Sequence, residues 1–240
     1  MKSQYVLPIT IVVAGALIAG AVFLVGKNGA PTGTTSTGTK ITARPYDPAT
    51  DHILGNPNAA VKVVEYMDLE CPHCKVFNTT MHQIMSYYGT SGNVAWVQRP
   101  FPLGIFSKSP EEAEAAECAA AQGGDTAYFN YVDQIFAITP SENGLDLTQL
   151  PKIAQQLGLN VDTFNQCVSN NTYAQKIQSS HDEAIAAGAQ GTPFILIMVG
   201  TDALALQGDQ PYDSMRAAID AVLGQLPGGS TTSASSTTTQ

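Results

Sequence analysis

Val61-Lys62-Val63-Val64-Glu65-Tyr66-Met67 runs through Asp68-Leu69-Glu70 into Cys71-Pro72-His73-Cys74, and this stretch decides the fold. The first seven residues are rich in β-branched and aromatic side chains and short enough for a buried strand. Beyond Pro72, apolar residues fall at Phe77, Met81, Ile84, Met85 and Tyr88, the spacing of one helix face, and Gly89 can end that helix. Cys74 lies three residues before Phe77, on the same face, so it is expected to point inward, with Cys71 at the cap. A second apolar run, Val94-Ala95-Trp96-Val97, follows the turn Gly92-Asn93. Strand, helix, strand in this order predicts a parallel βαβ unit.

Working outward, the pattern turns helical over about 107–188. It opens with Ser109-Pro110-Glu111-Glu112, where serine can cap, proline start and glutamate close a capping box. Several short helices are expected here, with Asp146 and Asp162 as further caps and Gly158 and Gly188 as stops. Apolar residues of this region, such as Phe129, Val132, Ile135 and Phe136, read as core. Phe194 to Val199 then predicts a strand, Gly200-Thr201-Asp202 a turn, Ala203 to Leu206 a partner strand, and about Tyr212 to Leu223 a last helix. The whole is α/β: βαβ, an inserted all-helical subdomain, then ββα.

The flanks have a different composition. Tyr5 to Val25 holds no charge and is bracketed by Lys2 and Lys27, long enough to cross a bilayer as one helix. Cleavage after Ala19-Gly20-Ala21 would leave a greasy end at Val22, so residues 1–27 read as an uncleaved signal anchor rather than a removed signal. Small residues four apart in Ala16 to Gly20 offer a weak helix-pairing surface. Residues 28–50 read as a flexible linker of Gly, Thr, Ser and Pro, with a reach of roughly 20 to 25 Å. Residues 51–227 form the folded domain, and 228–240 repeat the linker's composition as a disordered tail. Lys2 favours a cytoplasmic N-terminus, placing the body on the other side. The formal charge of -9, with no basic run, excludes nucleic acid as an expected partner. Four cysteines, an even number, suit an oxidising compartment.

At a helix N-terminus, unpaired N–H groups and the macrodipole favour negative charge and lower the Cys71 thiol pKa. Pro72 suits the first helical position, and His73 places a possible cation beside the sulfur. A stabilised thiolate makes the corresponding disulfide more oxidising. Cys74 is placed to resolve a mixed disulfide. Zinc shares the C-x-x-C spacing but normally needs a second ligand pair; Cys118 and Cys167 are isolated and His82 is eight residues beyond Cys74, so no metal site is assigned.

At these residues the sequence resembles the DsbA-like branch of the thioredoxin superfamily, whose typical dipeptide arrangement is that of Cys71-Pro72-His73-Cys74. The likeness runs from about Asn56 to Leu223, with the helical insertion where this family carries one. By resemblance, Gly191-Thr192-Pro193 is the cis-proline loop, with Pro193 facing Cys71 and the Thr192 backbone open to an extended substrate peptide. By resemblance too, Glu65 lies beneath the site and could relay protons to or from Cys74; read alone, it is as well a solvent-facing strand residue. Asp68 and Glu70 crowd the approach, and their charge would raise a thiol pKa. Some family members carry a second, structural disulfide, so Cys118 and Cys167 are either free thiols or a pair. The inferred compartment favours the pair, which would contribute roughly 4 kcal/mol in the chain-entropy model.

With the apolar stretch at 5–25 read as a single-pass anchor to the cell membrane and the body as extracytoplasmic, the resemblance implies a protein disulfide oxidoreductase. It would pass the Cys71–Cys74 disulfide to unfolded or exported thiol-containing proteins and be reoxidised by a membrane redox partner, with no cofactor. The same site run as a reductase or isomerase is the nearest alternative. A chaperone-like peptide-binding module with structural cysteines is another. His52 and His181 read as ordinary surface residues.

Overall fold

The computed structural model describes residues 39–227. The span expected at 5–25, the linker before residue 39 and the tail at 228–240 lie outside the described residues. Among the described residues no helix is long and apolar enough to cross a membrane.

Six strands among the described residues make one sheet: β1 (Thr39–Thr42), β2 (His52–Gly55), β3 (Val61–Met67), β4 (Val94–Pro100), β5 (Phe194–Val199) and β6 (Asp202–Gln207), in the order β1-β6-β5-β3-β4-β2. Among the described residues only β3 and β4 pair in parallel, Val63 opposite Trp96 and Glu65 opposite Gln98. The crossover between them is α1 (Pro72–Tyr88), as a parallel pair requires. β5 and β6 form the antiparallel hairpin read from the sequence, followed by α6 (Tyr212–Leu223).

β3 is buried on both faces, so its alternate residues enter different cores. Val61, Val63 and Met67 join Phe77, Met81 and Ile84 of α1 and Met215 and Ile219 of α6. Val64 and Tyr66 join Phe194, Leu196 and Val97 on the opposite face. Glu65 keeps the register of Val63 and Met67 and therefore projects beneath α1.

The insertion consists of α2 (Ser109–Ile138), a 3-10 turn (Leu147–Gln149), α3 (Leu150–Gln156), α4 (Val161–Ser169) and α5 (Ala174–Ala186). Instead of opening with short helices, it opens with a 30-residue element kinked at Gly123 and Gly124, the latter at φ 63°. A disulfide joins Cys118 of α2 to Cys167 of α4, with Cα atoms 5.8 Å apart. Gly158 and Gly188 end α3 and α5 at positive φ, and Asp146 accepts from the Thr148 N–H, as expected.

Several sequence expectations are corrected. The stretch assigned to the linker is part of the fold from Thr39: β1 covers the outer edge of β6, and Arg44 bonds to Asp51 and Glu183. A composition poor in large apolar residues conceals this, because the segment is held by backbone pairing and ion pairs. Ser109 is not a cap, since its hydroxyl donates to Asp68 Oδ1 at 2.5 Å and Lys108 occupies the cap position. Asn160, not Asp162, caps α4. His52 belongs to β2 and is buried, stacked on Tyr128 and hydrogen-bonded through Nε2 to Glu117 at 2.9 Å.

Candidate active site

The site forms where β3 ends and α1 begins. Cys71 is the N-cap residue of α1, with extended backbone (φ -80°, ψ 121°), and Pro72 takes the first helical turn where its missing N–H costs nothing. Both Cys71 and Cys74 are free thiols, 4% and 0% exposed. The Asp68 N–H points at Cys74 Sγ from 3.5 Å, and the Cys71 thiol donates to the Thr192 carbonyl at 3.3 Å. That carbonyl belongs to the Thr192–Pro193 bond, which is cis, so the structure brings the loop and the dithiol together.

The two sulfurs are differentiated by their surroundings. Cys71 is pulled down to about 5, first because the Cys74 thiol donates to its sulfur, against burial, with help from the Thr192 side chain and the backbone N–H groups of Cys74 and His73. The Thr192 hydroxyl is buried and has no hydrogen-bond partner while Cys71 is a thiol, which leaves it available to a thiolate. Burial pushes Cys74 well up, and donation to Cys71 and the nearby charges of Cys71 and Glu65 add to it. One cysteine is therefore suited to exist as a thiolate and the other to stay protonated.

Glu65 is fully buried and not solvent-facing. Its Oε2 accepts from the Trp96 indole N–H at 3.0 Å and the Gln98 amide at 3.3 Å, while Oε1 has no donor. Burial lifts its pKa to about 8, despite those two bonds, and the charge of Cys71 contributes upward. A buried carboxyl that titrates near neutrality and is coupled to both cysteines is suited to hold or release a proton there.

Asp68 and Glu70 are buried too, and they tie the redox loop to the insertion. Asp68 accepts from the N–H groups of Glu70 and Leu103 and from Ser109, yet burial still raises it to about 6. Glu70 accepts from the N–H groups of Leu145 and Gly144 and from the Thr139 hydroxyl. Glu112 of α2 is wholly buried, and burial followed by its contact with Glu70 pushes it up to about 9.

The His73 imidazole is 66% exposed, with Nδ1 2.9 Å from Asp209 Oδ1. Sequence reasoning missed Asp209, and no spacing or motif marks it. It read Glu112 only as closing a capping box and missed its burial beside Glu70. Cys118 and Cys167 sit in the insertion rather than the site. With Glu114 they are the metal-sized cluster among the described residues, but the two sulfurs are already bonded to each other. His181 packs edge-on against Phe101 and takes no part.

A family model described as Thioredoxin matches residues 47–221. Among solved structures, the chain is similar to DsbA2 of Pseudomonas aeruginosa, with TM-score 0.60 and 26% identity over 71% of this chain and 93% of that one. It is similar also to alpha-DsbA1 of Wolbachia pipientis, with TM-score 0.63 and 26% identity over 73% of this chain and 92% of that one. Among curated proteins it matches the Na(+)/H(+) antiporter NhaA 3 of Salinispora tropica, 32% identical over 154 residues, which are 64% of this chain and 22% of the antiporter. The chain thus spans about a fifth of the length of the curated relatives it matches.

Proposed function

This chain belongs to the Thioredoxin family, and from that premise we propose that it is a DsbA-like thiol-disulfide oxidoreductase donating the Cys71–Cys74 disulfide to thiol-containing proteins outside the cytoplasm. The observation that carries the reading is the asymmetry of the dithiol. A helix-capping Cys71, beside the cis Thr192–Pro193 bond, is held near 5, and a wholly buried Cys74 is held high. Stabilising the thiolate stabilises the reduced form, and so makes the disulfide the stronger oxidant.

In the forward cycle a substrate thiolate attacks Cys71 Sγ, the Cys71–Cys74 bond breaks, and Cys74 leaves as a thiolate that takes up a proton, for which Glu65, a buried carboxyl whose charge acts on Cys74, is a carrier. A second substrate thiolate then attacks the mixed disulfide, releasing oxidised substrate and the Cys71 thiolate. Two electrons pass from substrate to protein, and a separate redox partner removes them. The cis-proline loop at Thr192, whose carbonyl lies 3.3 Å from the Cys71 sulfur, offers an extended substrate a place to pair there. The Tyr5 to Val25 apolar stretch supports anchoring to the cell membrane with the body outside. The Cys118–Cys167 disulfide supports the same compartment. The buried carboxyls Glu65 and Asp68 oppose the thiolate and favour the reverse, reducing direction, but the net shift of Cys71 is downward.

Mixing the oxidised protein with a reduced, unfolded protein that has two cysteines tests this. Disulfide is expected to appear in the substrate as two thiols appear at Cys71 and Cys74, and the Cys71 thiolate of Cys74→Ala, mixed instead with the oxidised substrate, is expected to attack its disulfide and stay trapped as a mixed disulfide, releasing one substrate thiol. Binding of the unfolded chain with no transfer would identify a peptide-binding module instead.

A further inference from the structure

His73 contributes to the site in two opposed ways. Its backbone N–H is among the donors that hold Cys71 low, while its ring is paired with Asp209, 33% exposed, in the turn between β6 and α6. That turn is fixed. Gly208, at φ 74°, donates its N–H to the Pro193 carbonyl at 2.9 Å, and the Gln210 amide donates to the Gln207 carbonyl at 2.9 Å. Asp209 therefore reaches His73 from the cis-proline side of the cleft, on a support shared with the substrate-pairing loop.

An imidazolium free to lie over Cys71 would stabilise the thiolate by direct attraction. Held against a carboxylate, its field becomes that of a compact ion pair, and the two charges largely cancel at the sulfur. We propose that Asp209 is a positioning residue that holds the His73 ring away from Cys71 and cancels its charge, so that this site oxidises less strongly than its Cys-Pro-His-Cys motif alone would set. The inference rests on the exchange reading above and refines it. An exposed ion pair contributes little to stability, so Asp209 is replaceable without unfolding the domain.

The test is the ultraviolet titration of the Cys71 thiolate in the reduced protein, for native, Asp209→Asn, Asp209→Glu, His73→Ala and the double variant His73→Ala/Asp209→Asn. The groups facing Cys71 are Cys74 and the Thr192 side chain, with the charges of Glu65 and Asp68, and all remain in every variant. The native transition is expected at about 5. Asp209→Asn is expected to raise the acid dissociation constant of Cys71 roughly threefold to tenfold, the effect of one partly screened charge at several ångströms. Asp209→Glu should stay near native. In the His73→Ala background the asparagine should change little.

The equilibrium with glutathione should move by the same factor. There, protein disulfide and two glutathione thiols exchange for the protein dithiol and glutathione disulfide, and a tenfold change is about 30 mV. No change or a decrease in Asp209→Asn, or an equal rise with His73 absent, overturns the inference. Failure of the native protein to exchange with glutathione at all would instead remove the reading on which it rests.

Discussion

Replacing Glu65 with glutamine should flatten the pH dependence of folding. In the folded dithiol form Glu65 titrates at about 8, against 4.5 in the unfolded chain. Raised in the folded state, an acid opposes folding as soon as its unfolded counterpart ionises. The unfolded chain releases the proton through the range from 4.5 upward, while the folded protein keeps it until about 8. Stability is therefore full below the unfolded value and is lost as pH rises towards the folded one. At about 1.4 kcal/mol per pH unit, the loss between pH 5 and pH 7 is roughly 2 to 3 kcal/mol. Glutamine has no proton to lose. Its carbonyl can still accept from Trp96, and its amide can donate to Gln98 Oε1, which has no donor in the native arrangement. Urea unfolding of the reduced protein at both pH values, native against Glu65→Gln, reads the difference. Asp68 and Glu112 titrate in both proteins and cancel in the comparison. A pH slope in Glu65→Gln equal to the native slope would refute the reasoning, because Glu65 would then be ionised or solvated in the folded protein.

Other expectations follow from the same contacts. Cys118→Ala with Cys167→Ala removes the crosslink spanning 49 residues and should cost about 4 kcal/mol in a urea titration, while the thiolate titration of Cys71 stays put. Thr192→Val deletes a buried donor available to the thiolate, so the Cys71 transition should move to higher pH, with roughly a several-fold weaker acid. Glu112→Gln should be more stable than native at pH 8 by more than about 1 kcal/mol, because the native carboxyl resists ionisation up to about 9 and destabilises the fold increasingly from about 4.5 upward. At pH 4 that advantage should vanish, and an advantage independent of pH would point to packing instead.

The elements were legible where periodicity and burial agree. Val61 to Met67 and the Phe77, Met81, Ile84 stripe placed β3, α1 and the inward-facing Cys74, because a strand buried on both faces and a one-faced helix have distinct patterns. The Phe194 to Val199 strand and the Tyr212 to Leu223 helix were readable for the same reason. Acidic residues were not. Glu65, Asp68, Glu70 and Glu112 are all buried, and each is tolerated through hydrogen bonds or retained protons supplied by residues distant in the chain, which no local pattern displays. The segment after Thr39 was hidden because edge pairing with β6 needs backbone rather than apolar side chains. His73 was legible as part of the motif, but its ring pairs with Asp209, 136 residues away, which no local pattern shows.

The equilibrium of the native protein with a glutathione redox buffer, with the two reactive thiols counted by alkylation, tests the central claim most directly. Cys118 and Cys167 remain bonded and silent. A donor held by a Cys71 that titrates at about 5 should show a reduction potential well above thioredoxin's, which is about -270 mV, and towards the roughly -120 mV of strong oxidants. A potential near about -270 mV would contradict disulfide donation and assign the same dithiol to reduction.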